Sequence, residues 1–307
     1  MSQVFFIGAD IGTSGAKIVL FDSKGNSIKE SQYPYETYYP KPGWIEQNPE
    51  EWWIAFLKGI HDLLETIRSP DNIKGIGITH QRLTFVPVDE KYQPLRKAIL
   101  WNDTRCYEEN KWAEDKCGGN WIFQRTGCYP GLWSVYKVLW LKRWEQEIYD
   151  QMSKIMLVFD YLCYKLTGKL CTTESAAIMT GCLDVNKRSE WAWDVLECLG
   201  IRKDIWIEPI LPGGKAVGEI SPKVANDVGL SPETIIATTA GDQPCGSLGA
   251  GLLDSETIAI NGGTSCTIEK LSLSLPKLDK ADYFMEISPT GNYIIEAVSY
   301  THLTLPT

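Results

Sequence analysis

Near the amino terminus an apolar run, Phe5-Phe-Ile-Gly-Ala, ends in Asp10; Gly12-Thr-Ser-Gly15 follows before a second apolar run, Ile18 to Phe21. Two strands joined by so glycine-rich a bend turn several backbone N–H groups and the hydroxyls of Thr13 and Ser14 towards one point, which makes an anion site. Lys17 adds a mobile positive charge. Asp10 is the constraint. A carboxylate beside a polyphosphate repels it unless a divalent cation lies between them, so the pattern implies Mg²⁺. The β-branched and aromatic residues after Lys17 continue a strand where a P-loop would begin a helix, and the spacing of Gly8, Gly12 and Gly15 does not fit the dinucleotide fingerprint. The plainer reading is a hairpin with a glycine-rich turn and a solvated aspartate.

Thr257-Ile-Ala-Ile-Asn-Gly262-Gly-Thr264-Ser-Cys-Thr-Ile268 repeats the strand, Gly-Thr-Ser turn and strand. The separation is too long for a short solenoid repeat, but a duplicated domain would produce it, each copy offering one phosphate hairpin across a cleft. The chain of 307 residues has room for one large or two ordinary domains. Apolar residues at 44% and charged residues at 22% are globular values. A net charge of −9 argues against a nucleic-acid partner. No apolar run reaches membrane-spanning length and no leader pattern opens the chain, so a cytoplasmic protein with no membrane partner is expected. Nine cysteines without CxxC pairs read as reduced thiols, neither a disulfide framework nor a zinc site. With only His61, His80 and His302, a Ser-His-Asp mechanism has few candidates.

Asn48-Pro49-Glu50-Glu51 predicts a helix start, followed by Trp53, Phe56, Leu57, Ile60, Leu63, Leu64 and Ile67 at helical spacing. Ser27–Tyr33, Ile73–Ile78, Thr84–Val88, Ala98–Trp101 and Ile235–Ala240 read as strands. Asn102 or Asp103 can cap a helix running towards Cys117, and the region from Ser134 to Gly200 is mainly helical, with Trp140, Trp144, Tyr161 and Trp191 in its core. Ser221-Pro222 opens another helix that Gly229 closes. Strands alternating with helices make the fold α/β.

Asp242 follows the strand that ends at Ala240, at the edge where open α/β sheets bind ligands. A sugar or polyol hydroxyl has a high pKa, so phosphoryl transfer to it needs a carboxylate that accepts its proton late in the reaction. Gln243 can hydrogen-bond neighbouring hydroxyls. The rival reading of Asp242 is a helix cap. Gln81 and Arg82, after the strand ending at Ile78, can reach a polyhydroxylated ligand or form a surface turn. Trp101-Asn-Asp103-Thr-Arg105 offers an aromatic face and polar groups to orient a sugar, with capping by Asp103 as the alternative. Most of the twelve tryptophans must be core; Trp44 and Trp133 lie in loops.

From Val4 to about Glu269 the chain resembles the FGGY family of carbohydrate kinases, of the actin-like ATPase fold. The resemblance is carried by Asp10-Ile-Gly-Thr-Ser-Gly-Ala-Lys17, Trp44-Ile-Glu-Gln-Asn-Pro-Glu-Glu-Trp-Trp53, Ala98-Ile-Leu-Trp-Asn-Asp103-Thr-Arg105, Ser134-x-x-Lys137-x-x-Trp140, Asp160-Tyr-Leu162, Gly241-Asp-Gln243 and Gly262-Gly-Thr-Ser265, in that order. It implies ATP and Mg²⁺, with Asp242 as catalytic base and Asp10 serving the metal–phosphate region. Gly12, Thr13, Ser14, Lys17, Gly263 and Thr264 would contact phosphates, while Gln81, Arg82, Asp103 and Gln243 would line the pocket of a small sugar or polyol. A homo-oligomer is left open.

Trp101-Asn-Asp103 and Trp52-Trp53 resemble xylulokinases. Gln81-Arg82-Leu83 instead stands where xylulokinases tend to have Gln-Met-His and glycerol kinases Gln-Arg-Glu. Phosphorylation of a ketopentose such as xylulose is the favoured expectation, with glycerol or another polyol, or an actin- or chaperone-like ATPase, as alternatives. The fold implied is a ribonuclease H-like N-terminal domain over residues 1–253. Residues 254–297 then begin a second domain that is otherwise missing, and Val298-Ser-Tyr-Thr-His-Leu-Thr-Leu-Pro-Thr307 resembles translated sequencing-adapter read-through. A chain so truncated is expected to hold the sugar pocket but not to use ATP productively.

Overall fold

Alternation along Phe5–Ile11 buries Phe5, Ile7, Ala9 and Ile11 on one face, as a strand covered on one side requires. In the computed structural model, which describes residues 4–67, 69–262 and 266–299, this strand, β1 (Phe5–Ile11), pairs antiparallel with β2 (Gly15–Asp22), and β2 with β3 (Ser27–Pro34). A short β4 (Glu46–Gln47) leads into α1 (Pro49–Leu64). Asn48 caps that helix by accepting the Glu50 N–H at 3.2 Å, and Pro49 occupies the first position, where no N–H is needed. Trp52, Phe56, Ile60 and Leu63 make its buried stripe against the first three strands.

β5 (Ile73–His80) runs parallel to β1 and continues two residues beyond the expected strand. β6 (Phe85–Val88), β7 (Ala98–Ile99) and β8 (Lys154–Leu157) join β4 in a small sheet of order β4-β7-β6-β8. Between β7 and β8 lie α2 (Tyr107–Ala113), a π-helical turn Glu114–Gly118, α3 (Gly119–Thr126), α4 (Ser134–Trp144) and α5 (Gln146–Gln151). The chain continues through α6 (Val158–Thr167), β9 (Thr172–Thr173), α7 (Glu174–Ile178), α8 (Trp193–Leu199), β10 (Ile210–Leu211) and β11 (Ala216–Glu219). α9 (Pro222–Val228), capped by Ser221 and ended by Gly229 at φ 76°, precedes β12 (Ile235–Ala237) and α10 (Asp242–Gly249).

The central sheet has the order β11-β12-β5-β1-β2-β3, with β12, β5 and β1 mutually parallel. Their carboxyl ends lie side by side: Asp10 registers with Thr79, Ile11 with His80, and His80 bridges to Gly241. A second antiparallel sheet, β13-β14-β16-β15, comprises β13 (Ile258–Gly262), β14 (Cys266–Ser272), β15 (Phe284–Ile287) and β16 (Tyr293–Ser299). The strands of the expected second hairpin are therefore present; its turn, with Gly263 and Thr264, lies outside the described residues, as do residues 300–307. β15 docks on the helical region, where the Met285 N–H donates to Gly127 O at 2.9 Å and its side chain joins the core around Ala177 and Ile178.

Three expectations are corrected. Trp140, Tyr161 and Trp191 are buried, but Trp144 ends α4 with 70% of its surface exposed, its Nε1–H donating to Glu109. Neither Asn102 nor Asp103 caps α2, which starts at Tyr107 after Cys106; Arg105, two residues on, claims the Asp103 carboxylate instead. Finally, Cys117 and Cys198 form a disulfide, with their Cα atoms 6.1 Å apart, while seven cysteines are free thiols. Among the described residues no helix is long and apolar enough to cross a membrane.

Candidate active site

Because β1, β5 and β12 end together, Asp10, His80 and Asp242 are delivered to one edge by backbone register alone. Gly241 is the N-cap of α10, so Asp242 takes the first helical position rather than the cap, and its Oδ1 accepts the Gln243 N–H at 3.0 Å. Its side chain is 36% exposed, open to a cleft of about 590 Å³. Thr13, Arg82, Trp101, Asp242, Gln243 and Glu296 are among the residues of the cleft wall. Trp101 donates its indole N–H to Thr13 Oγ1 at 3.0 Å, fixing the aromatic face beside the glycine-rich bend.

Asp10 lies beneath this edge. Burial first, then the nearby Asp242 charge, pushes its pKa up to about 6, and Lys17 only partly opposes them. Its Oδ1 is buried without a hydrogen-bond partner among the described residues. A buried carboxylate oxygen of this kind, beside an anion-binding bend, has the donor chemistry that a hard cation takes when phosphates supply its other ligands. Among the described residues no set of three or more His, Cys, Asp or Glu could enclose a metal unaided. His80 is buried, which lowers its pKa and keeps the ring neutral; Nδ1 lies 3.0 Å from Gln81 O and Nε2 is buried without a partner among the described residues, whereas Asp242 is the acceptor that opens on the cleft.

Arg82 is the hub. Its Nη1–H groups donate to Glu286 Oε2 at 2.6 Å and Glu296 Oε2 at 2.5 Å, Nη2 donates to Glu296 Oε1 at 3.1 Å, and Nε stands 3.5 Å from Asp242 Oδ1. Burial alone would lower its pKa, but Glu286, Glu296 and Asp242 hold it firmly charged. Glu286 and Glu296 are fully buried, as is Glu269, the cross-strand partner of Glu296. Burial pushes Glu286 well above the usual carboxylate range and, helped by Glu296, lifts Glu269 to about 7.

Other expected site residues lie elsewhere. Gln81 is buried behind the wall, donating to Gln47 Oε1 at 2.9 Å and accepting from Thr84 at 3.2 Å. Asp103 is sealed between Arg105 and the Ile45 N–H and has no surface on the cleft. Each is a strut of the wall because protein partners, local and distant in sequence, already take its hydrogen bonds. Lys17 pairs across the strands with Glu30 at 2.9 Å, Ser14 is exposed on the bend, and the Gly12 N–H closes that bend on Gly15 O at 3.1 Å. Trp44 packs edge-on against Trp140 with 5.0 Å between centroids, whereas Trp133 does reach the cleft, edge-on to Phe284 at 5.2 Å. The residue reading missed Glu286 and Glu296; the one available signal was a lone glutamate in each of two otherwise apolar segments, Phe-Met-Glu286-Ile and Ile-Ile-Glu296-Ala.

The FGGY family of carbohydrate kinases, N-terminal domain, matches residues 5–249. The chain belongs to that family. This FGGY chain is 33% identical over 265 residues to a xylulose kinase of Klebsiella pneumoniae, covering 85% of the chain and 53% of the relative. It is 36% identical over 268 residues to a xylulose kinase of Staphylococcus epidermidis, covering 86% and 52%. It thus spans about half the length of the curated relatives it matches. Among solved structures it superposes on a gluconate kinase from Lactobacillus acidophilus with a TM-score of 0.90 and 27% identity, covering 97% of this chain and 60% of that one. A ligand-bound xylulose kinase from the same species gives 0.89 and 26%, covering 96% and 60%. The FGGY fold, an α/β fold of the actin-like class, is therefore that of sugar kinases.

Proposed function

We propose that these residues form the sugar-binding half of an ATP-dependent kinase that phosphorylates a hydroxyl of a neutral sugar or polyol, a ketopentose such as xylulose in first place. Phosphoryl transfer is assigned to a polypeptide of the relatives' full length, and sugar binding to this chain. The observation that carries the reading is Asp242, half-open on the cleft at the joint carboxyl ends of three parallel strands and facing Asp10. Asp242 accepts the proton of the attacking hydroxyl, and Arg82 orients its carboxylate from 3.5 Å. Gln243 and Asn102 offer hydrogen bonds to neighbouring hydroxyls, and the Trp101 ring covers a C–H face. Asp10, whose Oδ1 has no partner among the described residues, would hold Mg²⁺ beside the Gly12–Gly15 bend, and the ion would neutralise phosphate charge. Leu83 stands in the wall next to Arg82, at the position where glycerol kinases tend to have a glutamate that would bind glycerol's hydroxyls, which disfavours glycerol.

The test is calorimetric titration of the chain with D-xylulose and glycerol, followed by an ADP-release assay with Mg-ATP on a polypeptide of full family length. Xylulose binding that survives Asp242→Asn, with sugar-dependent ADP release that does not, is expected. Absence of any sugar binding would sink the reading.

A further inference from the structure

Among the described residues that line the cleft, Arg82 is the single cation, against Asp242, Asp282 and Glu296. An arginine in a sugar pocket is the natural partner for a ligand carboxylate, because its planar fork donates to two oxygens at once. Here the fork is already taken. Glu296 occupies Nη1 and Nη2 together, Glu286 takes Nη1 from the other side, and Asp242 lies off Nε. These glutamates come from β15, whose backbone docks on the helical region through Met285, and from β16, which pairs with it, so they are not mobile groups that a ligand could brush aside. Glu269 and the second oxygen of Glu286 stand behind them, buried and without partners among the described residues. Even with Glu286 protonated, as its burial favours, one arginine faces two carboxylates on the cleft side, so the net charge there is negative.

We infer that the Glu286–Glu296 pair is a specificity device: by consuming Arg82 it makes the cleft select uncharged polyhydroxy ligands and reject sugar acids of the same shape. This deepens the proposed function and rests on it. A neutral ligand can donate a hydroxyl to the exposed oxygen of Asp242, whereas the carboxylate of an aldonate would meet that negative charge, with the buried Glu296 behind it, and find no cation free among the described residues of the wall. The fold itself does not decide between the classes, since the chain superposes equally well on a gluconate kinase and a xylulose kinase.

The experiment titrates the chain with D-xylulose, D-xylonate and D-xylonamide, the last two differing only in charge. The unmodified protein is expected to bind the amide on the order of 30-fold more tightly than the acid. Glu296→Gln, which frees one fork position and removes one negative charge, should narrow that ratio to about fivefold or less, and the ratio is read whatever the variant does to the affinity for the amide itself. Glu286→Gln, set behind the wall, should narrow it less. Equal binding of acid and amide by the unmodified chain overturns the inference while leaving the kinase reading intact, and it decides the matter even where a variant fails to fold. Discrimination that persists undiminished in Glu296→Gln also overturns it. Failure of xylulose and amide alike overturns the underlying reading, and the inference with it.

Discussion

Gly241 passes so close beneath Arg82 that a Cβ added to it would stand 2.6 Å from Arg82 Cγ and 2.9 Å from Cδ. Since the guanidinium beyond those carbons is clamped by Glu286 and Glu296, the side chain has no free direction in which to yield. Gly241 has φ −61°, so alanine is tolerated by the backbone and the cost is purely the clash. Gly241→Ala should therefore lose about 1–3 kcal/mol of stability and weaken sugar binding about tenfold by displacing Arg82 from Asp242. Thermal unfolding and calorimetric titration measure the two effects. An alanine variant with native sugar affinity would show that Arg82 placement is irrelevant to the pocket.

Asp242→Asn keeps the size of the side chain and removes the proton acceptor. Its Oδ1 can still receive the Gln243 N–H, so the start of α10 survives. In a polypeptide of full family length, sugar-dependent ADP release should fall about 10²–10⁴-fold, with sugar affinity held within about threefold. A variant that loses affinity and turnover in equal proportion would recast Asp242 as a binding group only.

Burial, then the Asp242 charge, pushes the Asp10 carboxyl up to about 6 in the folded protein, against 3.8 for an ordinary aspartate. The folded state thus binds more protons than the unfolded state between those values, so this group's contribution to stability falls as pH rises from about 4 to 6 and stays lost above. Allowing for its partial exposure, Asp10→Asn should stabilise the chain by about 1–2 kcal/mol at pH 7 and leave it little changed at pH 4. Urea unfolding of both proteins at the two pH values checks the sign. If the ion site is real, the same variant should abolish Mg²⁺-dependent turnover in the full-length polypeptide, so stability and activity move in opposite directions.

Local signals made much of this architecture readable. The Phe5–Phe21 hairpin follows from alternation and a glycine-rich bend, and α1 from Asn48, Pro49 and an apolar stripe, all set by neighbours in sequence. Asp242 and Arg82 were placed at the cleft because residues that end parallel strands share one edge whatever the rest of the chain does. What escaped was decided at long range. Glu286 and Glu296 sit 204 and 214 residues from Arg82, and a lone glutamate in an apolar strand reads as a solvent-facing position until its partner is known. Gln81 and Asp103 were chemically plausible pocket residues, yet Gln47 and Arg105 satisfy them inside the wall, and no local pattern separates a buried strut from a ligand contact.

The same long-range logic governs Cys117 and Cys198, which are 81 residues apart and bring the π-helical turn Glu114–Gly118 against α8. Closing a loop of that length removes unfolded-state entropy worth about 4 kcal/mol in the chain-entropy description. Glu114, on the tethered turn, accepts the Tyr129 hydroxyl at 2.6 Å, and Tyr129 is part of the cleft wall. Reduction should therefore lower Tm by roughly 10 °C and weaken sugar binding only a few-fold, since Tyr129 loses its anchor while Asp242 and Arg82 keep theirs. Cys198→Ser should reproduce both effects and make dithiothreitol inert. Alkylation of the unreduced protein under denaturing conditions should label seven of nine cysteines. Nine labelled cysteines, or a Tm indifferent to reductant, would show that the bond contributes nothing to the fold.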